Sequence, residues 1–195
     1  MNAQIRELLA ELEREGREND ARETDRSRKM LNLMPETAQL VSILAGSGKA
    51  TSVLEIGTSN GYSTIWLAAA VAAARGHVIS IDRNPHKHAL ARENLRRAGL
   101  LDRVDLLLGD ATGMVGHLQG PFDLVFFDAD RTSAPEQLRS LLPKLGPEVL
   151  LLADNALSHP EEIAGYLAAV ARLEHCQHTV VPVGKGLSIA YRARA

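Results

Sequence analysis

The sequence is poor in cysteine, in aromatic residues and in long apolar runs. It has a single cysteine, Cys176, so an internal disulfide is excluded and a reducing compartment suits the chain. Aromatic residues make up 4% of the chain, too few for a surface on which nucleic-acid bases stack. No apolar run approaches the roughly 20 residues that a helix needs to span a bilayer. These absences predict a cytoplasmic protein with neither a membrane nor a nucleic acid as its partner.

The net charge indicates no nucleic-acid or membrane partner, and the chain is long enough for one domain with a full hydrophobic core. A net charge of −2 gives no basic field that would attract nucleic acid or anionic lipid. The charged N-terminus lacks the apolar segment of a signal peptide, as expected for an intracellular protein. The 195 residues, 45% of them hydrophobic, suffice for one domain. We predict an N-terminal helical arm or lid over residues 1–34 and a main domain over residues 35–195.

One stretch, residues 53–66, organises the chain. It begins as an apolar strand, passes small and polar residues that include Gly57 and Gly61, and resumes as a helix from Tyr62. We expect Gly57 to permit a tight turn and Gly61 to leave room for a ligand near the backbone. The helix N-terminus would direct free N–H groups at this loop, as in anion and nucleotide sites. The E-x-G-x-x-x-G spacing departs from the G-x-G-x-x-G of dehydrogenases and is typical of an S-adenosylmethionine cradle, although an ordinary strand-to-helix turn has the same glycines.

The N-terminal residues predict an amphipathic helix over residues 3–18. Ile5, Leu8, Leu9 and Leu12 form one apolar stripe, and the opposite face is almost entirely charged. Such a stripe must pack either on the body of the domain or on a second subunit. It is one of our two grounds for expecting a homodimer.

From residue 52 onward, predicted strands and helices alternate. We expect strands over 52–57, 77–82, 104–109, 122–128 and 148–153, and helices over 35–45, 62–74, 85–98, 111–118, 135–145 and 160–173. Two further segments, 179–183 and 187–192, predict an antiparallel hairpin at the edge of the sheet. The fold class that follows is α/β: a Rossmann-like, doubly wound, mostly parallel seven-stranded sheet with a C-terminal hairpin.

Polar residues follow each of the five predicted parallel strands, at the edge where such sheets bind ligands. In chain order these residues are Glu55 and Gly57, Asp82, Asp110 and Ala111, Asp128, and Asp154 with Asn155. An acid in the position of Asp82 fits a carboxylate that binds ribose hydroxyls. Each residue alone could equally cap a helix or a turn. It is much less probable that all five strand ends carry such caps by coincidence than that they form one ligand site.

Two carboxylates and an amide are expected to meet at neighbouring strand ends. If Asp128, Asp154 and Asn155 lie together, the two like charges repel each other unless a cation joins them. Oxygen ligands without histidine or cysteine suit Mg²⁺.

This ordered set of motifs resembles the cation-dependent O-methyltransferases of the catechol and caffeoyl-CoA type. The similarity runs from about residue 30 to the C-terminus and rests on residues 54–63, 81–82, 122–130, 154–155 and 182–187. The resemblance implies that Glu55, Gly57 and Ser63 line the methionyl part of S-adenosylmethionine, with Gly61 and Asp128 also at the cofactor. Asp82 would hold the ribose, and Asp110 and Ala111 would lie by the adenine. Asp128, Asp154 and Asn155 would bind Mg²⁺ or a similar divalent cation. It also implies a homodimer.

The activity implied by this resemblance is methyl transfer from S-adenosylmethionine to a hydroxyl of a small vicinal diol similar to catechol. Two alternatives remain open on the residues alone. One is a metal-independent methyltransferase with another small-molecule acceptor, in which Asp128 and Asp154 are structural acids. The other is a nucleotide-binding module without catalysis.

Two departures from the family pattern concern catalysis and the acceptor. The family usually has a lysine three residues after the first metal-binding aspartate, and here that residue is Arg131, which cannot give up its proton at neutral pH. Arg131 could still stabilise an anion, and His159 is the nearest candidate base, although it could also be a surface-loop histidine. The loop after Asn155 is short, so we expect an open acceptor site, built in part by residues 30–34.

Overall fold

A computed structural model describes residues 1–194 of the chain. Seven strands form one sheet: β1 (Ser52–Ile56), β2 (His77–Asp82), β3 (Val104–Leu108), β4 (Phe122–Phe127), β5 (Leu145–Ala153), β6 (Cys176–Val181) and β7 (Leu187–Arg192). Their order across the sheet is β3-β2-β1-β4-β5-β7-β6. The first five strands pair in parallel, whereas β7 runs antiparallel to both β5 and β6.

Helices cover both faces of this sheet. They are α1 (Ala3–Arg22), α2 (Pro35–Ser47), α3 (Tyr62–Val71), α4 (Pro85–Ala98), α5 (Ala111–Met114), α6 (Ala134–Leu141) and α7 (Pro160–Val170). Buried residues of α1 to α4 form one apolar cluster with one face of the strands, and those of α6 and α7 form a second cluster with the other face. The predicted doubly wound, mostly parallel sheet with a C-terminal hairpin is therefore confirmed. None of the helices within residues 1–194 is long and apolar enough to cross a membrane.

Several element bounds differ from the sequence prediction by one to four residues. Helix α1 continues past residue 18 to Arg22, and the Arg22 guanidinium donates to the Glu18 carbonyl at 3.1 Å in its last turn. Strand β5 begins at Leu145, the last residue of the predicted helix 135–145, and not at residue 148. Strand β6 ends at Val181 rather than 183, since Pro182 has no N–H group to donate to a neighbouring strand.

The apolar stripe of α1 packs on the body of the same chain. Its leucines and Ile5 are each at most 6% exposed and belong to the larger apolar cluster. Two polar contacts with α4 fix the helix: Arg97 donates to both Glu11 carboxylate oxygens at 2.7 Å, and Gln4 Nε2 donates to the Arg97 carbonyl at 3.0 Å. The stripe therefore provides no surface for a second subunit. The division of the chain at residue 34 stays a prediction.

Candidate active site

A cleft of about 780 Å³ opens at the carboxyl ends of the parallel strands. The strand order sets the order of side chains along it. From one end to the other these are Asp110 and Ala111 after β3, Asp82 after β2, Gly57 after β1, Asp128 after β4, Asp154 and Asn155 after β5, and Lys185 in the turn between β6 and β7. All of them line the cleft, so the structure brings together the strand-end residues that the sequence singled out, apart from Glu55.

The two glycines of the central loop have different tasks. Gly57 has φ +106°, and a Cβ there would collide with the carbonyl oxygen of Asp128. Only glycine therefore allows the ends of β1 and β4 to approach so closely. Gly61 precedes α3 with φ +86°, and a Cβ there would lie 3.1 Å from Cα of Ala91 in α4. Gly61 does not line the cleft, so the structure assigns it to the start of α3 and to packing on α4, not to ligand clearance.

Asp82 is held by two backbone amides. Its Oδ2 accepts from the Ser59 amide at 2.7 Å and its Oδ1 from the Asn84 amide at 2.8 Å. A carboxylate has about four acceptor positions, so two remain for hydroxyls in the cleft. Asp110 combines two of the roles considered: it lines the cleft and accepts from the Gly113 amide at 3.1 Å as the N-cap of α5.

Glu55 lies beneath the cleft and not in its wall. It is fully buried and accepts hydrogen bonds from Ser80 Oγ, at 2.5 Å, and from Thr64 Oγ1. Ser80 in turn lies 2.6 Å from Oγ1 of Thr58, which lines the cleft. Burial raises the pKa of Glu55 to about 7, although hydrogen bonds from the hydroxyls of Ser63, Ser80 and Thr64 oppose this rise. Glu55 therefore supports the loop through hydroxyl groups, whereas Ser63 reaches the cleft itself.

Asp128 and Asp154 stand side by side at the centre of the cleft. Phe127 pairs with Ala153 across β4 and β5, so the two aspartates are the next residues of adjacent strands, and the Asp154 amide donates to the Phe127 carbonyl at 3.1 Å. Burial raises the pKa of both carboxyls. The charges of Asp154 and Glu55 raise the pKa of Asp128 further, to well above its usual range.

Asn155 follows with a left-handed backbone, φ +66°. Its Nδ2 donates to Asp154 Oδ2 at 2.7 Å, and its Oδ1 accepts from Ser158 Oγ at 3.1 Å. Amide oxygen and nitrogen are assigned from such contacts. Turning the amide by 180° would bring its oxygen to the carboxylates.

The three residues fit a hard divalent cation. Asp154 Oδ1 is buried and has no hydrogen-bond partner, and within residues 1–194 no lysine, arginine or histidine lies in ion-pair contact with Asp128 or Asp154. Over the same residues there is no cluster of three or more histidine, cysteine, aspartate or glutamate side chains placed to hold a metal. The available set is thus two carboxylates and one amide, with room for water or substrate oxygens, which is the coordination that Mg²⁺ favours.

Arg131 and His159 both reach the cleft. The Arg131 guanidinium donates to Oε2 of Glu162 in α7 through Nε at 2.9 Å and through Nη2 at 2.6 Å. Arg131 is therefore fixed and neutralised, and it cannot act as a base. His159 Nδ1 lies 2.8 Å from Ser158 Oγ, which leaves Nε2 as the ring atom that could take a proton.

The segment between α1 and α2 covers part of the cleft, and sequence reasoning did not find the contacts that hold it there. Ser59 Oγ donates to the Met30 carbonyl at 2.6 Å, and Asn84 Nδ2 donates to the Ser27 carbonyl at 3.2 Å. Asp20 in α1 accepts from the Met30 amide at 2.6 Å. The arm therefore closes over the region of Asp82. The sequence suggested a helical arm or lid over residues 1–34 and an acceptor wall at residues 30–34, but not this position over Asp82.

The strand order and this cleft define a nucleotide-type α/β protein with a carboxylate centre beside its glycine turn. A protein-family model described as a methyltransferase domain matches residues 54–156. The chain therefore belongs to this methyltransferase family.

Individual relatives agree with this assignment. The chain is 34% identical over 131 residues to a catechol O-methyltransferase of Niastella koreensis, and 37% identical over 123 residues to one of Mycobacterium tuberculosis. The matched stretches cover 65% and 63% of this chain but only 59% and 56% of those relatives. Among solved structures, the O-methyltransferase TomG of Streptomyces achromogenes, in complex with S-adenosylmethionine, superposes with a TM-score of 0.80 at 26% identity, covering 96% of this chain and 90% of that one. The resemblance to O-methyltransferases of the catechol type is confirmed.

Proposed function

We propose that the chain transfers a methyl group from S-adenosylmethionine to a hydroxyl of a small vicinal diol of the catechol type, with Mg²⁺ or a similar divalent cation. One observation carries this proposal: the in-register pair Asp128 and Asp154 lies directly against the Gly57 turn. A carboxylate centre that could hold two adjacent hydroxyls is thus immediately beside the turn on which a sulfonium donor would sit.

The donor would lie along the half of the cleft formed by β3, β2 and β1. The free acceptor positions of Asp82 would bind ribose hydroxyls, and Asp110 and Ala111 would lie by the adenine. The loop from Gly57 and the Ser63 hydroxyl would face the methionyl part. The length of the cleft along the strand ends suits a ligand of this extended shape, and its volume lies in the usual range for small-molecule sites.

Asp128, Asp154 and Asn155 would hold the cation, which when bound lowers the pKa of a coordinated hydroxyl. The chain's own residues mainly position the acceptor oxygen against the donor methyl group, a large part of the rate enhancement in such reactions. Arg131, held by Glu162, can stabilise negative charge on an acceptor oxygen but takes no proton. His159, which also lines the cleft, could accept one at Nε2.

A chelation assay tests the proposal. Catechol, resorcinol and phenol are compared as acceptors with S-adenosylmethionine, first in EDTA and then with Mg²⁺ restored. We expect methylated product from catechol alone, lost in EDTA and recovered with Mg²⁺. Equal transfer to resorcinol, whose hydroxyls are not adjacent, would contradict chelation, and transfer that continues in EDTA would contradict the metal.

One contact favours a metal-independent methyltransferase instead. Asn155, as placed, donates to Asp154 rather than offering it an oxygen, which is what a structural carboxylate would show. The EDTA arm of the same assay separates the two functions. Calorimetric titration with S-adenosylhomocysteine and with NAD addresses a non-catalytic nucleotide module, because tight binding of NAD alone would end the methyltransferase proposal.

For the assembly we propose a homodimer. Since the α1 stripe is covered by its own chain, the proposal rests only on the family resemblance. A monomer in light scattering at micromolar concentration would refute it.

A further inference from the structure

The turn between β6 and β7 forms the far end of the cleft. Strand β7 runs antiparallel to β5 with Ser188 opposite Ala153, so the residues before β7 reach the edge where Asp154 follows β5. Lys185, at the centre of this turn, lines the cleft. Because the proposed donor occupies the ends of β3, β2 and β1, Lys185 lies on the side that is left for the acceptor.

The backbone of this turn is fixed against the loop after β5. The Lys185 carbonyl accepts from the amides of Leu157 and Ser158, each at 3.1 Å, and the Gly186 carbonyl accepts from the Ala156 amide at 2.9 Å. The turn also depends on left-handed glycine at Gly186, with φ +89°, where a Cβ would collide with Leu157. The Lys185 side chain therefore starts from a position set relative to Asp154, although its own atoms are exposed.

Lys185 has no counterion within residues 1–194. Burial raises the pKa of Asp128 and Asp154, and the Lys185 ammonium opposes this rise at both carboxyls. Within residues 1–194, however, Lys185 forms no ion pair and no side-chain hydrogen bond. A divalent cation would balance the two aspartates, and Glu162 already balances Arg131. Arg26, Arg83 and Lys87 also line the cleft, but they belong to the arm and to the segment after β2, beside Asp82. At the acceptor end, next to β5 and β7, Lys185 would then be the cationic side chain without a counterion.

We propose that Lys185 binds an anionic group of the acceptor, a carboxylate attached to the ring away from the diol, and so makes the site selective for catechol-like acids over neutral catechols. This inference rests on the proposed function. At the cleft edge of the sheet, the end of β4 and the start of β7 are two strand spacings apart, which is roughly 10 Å. A diol held at Asp128 and Asp154 would place a ring substituent toward Lys185, and the flexible lysine stem covers the remaining distance.

The test compares 3,4-dihydroxybenzoate with its methyl ester, which has the same diol but no charge. The variants are Lys185→Met, which removes the charge at similar length, Lys185→Arg, which keeps it, and Lys49→Met as a matched control at an exposed lysine outside the cleft. We expect Lys185→Met to raise KM for the acid roughly 5- to 20-fold, between the effects of an exposed ion pair and a charged hydrogen bond. KM for the ester should change less than about twofold in every variant, which is under 0.5 kcal/mol. Lys185→Arg should retain most of the preference for the acid, and Lys49→Met all of it.

A binding measurement without turnover separates this inference from the proposed function. Acid and ester are titrated calorimetrically into the protein with S-adenosylhomocysteine and Mg²⁺ present. Tighter binding of the acid that is lost in Lys185→Met supports the inference even if no acceptor is methylated, a result that would overturn only the proposed reaction. Equal binding of acid and ester by the unaltered protein would overturn the inference. So would a Lys185→Met variant whose kcat falls equally for both acceptors, because Lys185 would then act on the reacting oxygen.

Discussion

Glu55 provides a stability prediction that needs no ligand. Burial raises its pKa from an ordinary value of 4.5 to about 7. For an acid with a raised pKa the folded state holds the proton more tightly than the unfolded state, so its contribution is most favourable below pH 4.5 and is lost as pH rises to about 7. At 1.36 kcal/mol per pKa unit, this carboxyl should lower the free energy of unfolding by about 3 kcal/mol across that window.

The variant Glu55→Gln removes the titration while keeping the size of the side chain. Thr64 and Ser80 both donate to Oε2 of Glu55, whereas Oε1 has no partner. The amide oxygen of glutamine can accept from both hydroxyls, and its NH₂ group takes the place of the unpartnered oxygen, so we expect a pH-independent cost of about 1 kcal/mol. Relative to the unaltered protein, the variant should therefore gain about 3 kcal/mol between pH 4.5 and pH 8. Urea unfolding at half-unit pH steps, without cofactor, measures this difference.

Glu7→Gln serves as the matched control, because Glu7 is exposed on α1. Its stability difference from the unaltered protein should stay level over the same pH range. A level difference for Glu55→Gln as well would refute the reasoning, since it would mean that burial beneath the Gly57 loop does not hold the proton on Glu55. A change in the denaturant m-value with pH would instead indicate a change in the compactness of the unfolded or folded state.

Three further substitutions test the cleft. Asp154→Ala should abolish methyl transfer yet leave S-adenosylhomocysteine affinity nearly unchanged in calorimetry; transfer at the original rate would show that the metal assignment is wrong. Asp82→Ala should weaken S-adenosylhomocysteine binding about tenfold or more, since each hydrogen bond to a charged group contributes roughly 1.5–3 kcal/mol; unchanged affinity would place the ribose elsewhere. Gly57→Ala should cost about 2 kcal/mol or more in thermal unfolding because of its positive φ and the blocked approach to Asp128; Gly99→Ala, with φ +67° but open space, is the control and should cost less.

The parts of the structure that follow from periodicity could be predicted from the sequence. Alternating apolar strands and helices determine a parallel sheet with both faces covered. Once the strands are parallel, their carboxyl ends share one edge, and that alone brings Asp82, Asp128 and Asp154 into one cleft. The strand-end residues were found because chain topology, and not side-chain detail, places them.

The parts that depend on three-dimensional contacts could not be predicted. The E-x-G spacing is the same whether Glu55 faces a ligand or lies beneath it, and only the hydroxyls of Thr64 and Ser80 decide that it is buried. The arm between α1 and α2 has no periodic pattern, and its position follows from isolated hydrogen bonds such as that of Ser59 to Met30. Lys185 lies in a turn whose direction is set by pairing with the loop after β5, which is remote in sequence.

The electrostatics of the cleft favour a cation over two merely structural acids. Burial and mutual repulsion raise the pKa of Asp128 well above its usual range, and without a counterion one carboxyl would have to stay protonated. The nearby guanidinium could have relieved this repulsion, but Arg131 is instead turned to Glu162 on α7. A purely structural pair would gain stability from almost any apolar or amide replacement, as buried unpaired charges are costly. Two carboxylates in register, one with a buried oxygen that lacks a partner, are the observations that support the proposed cation.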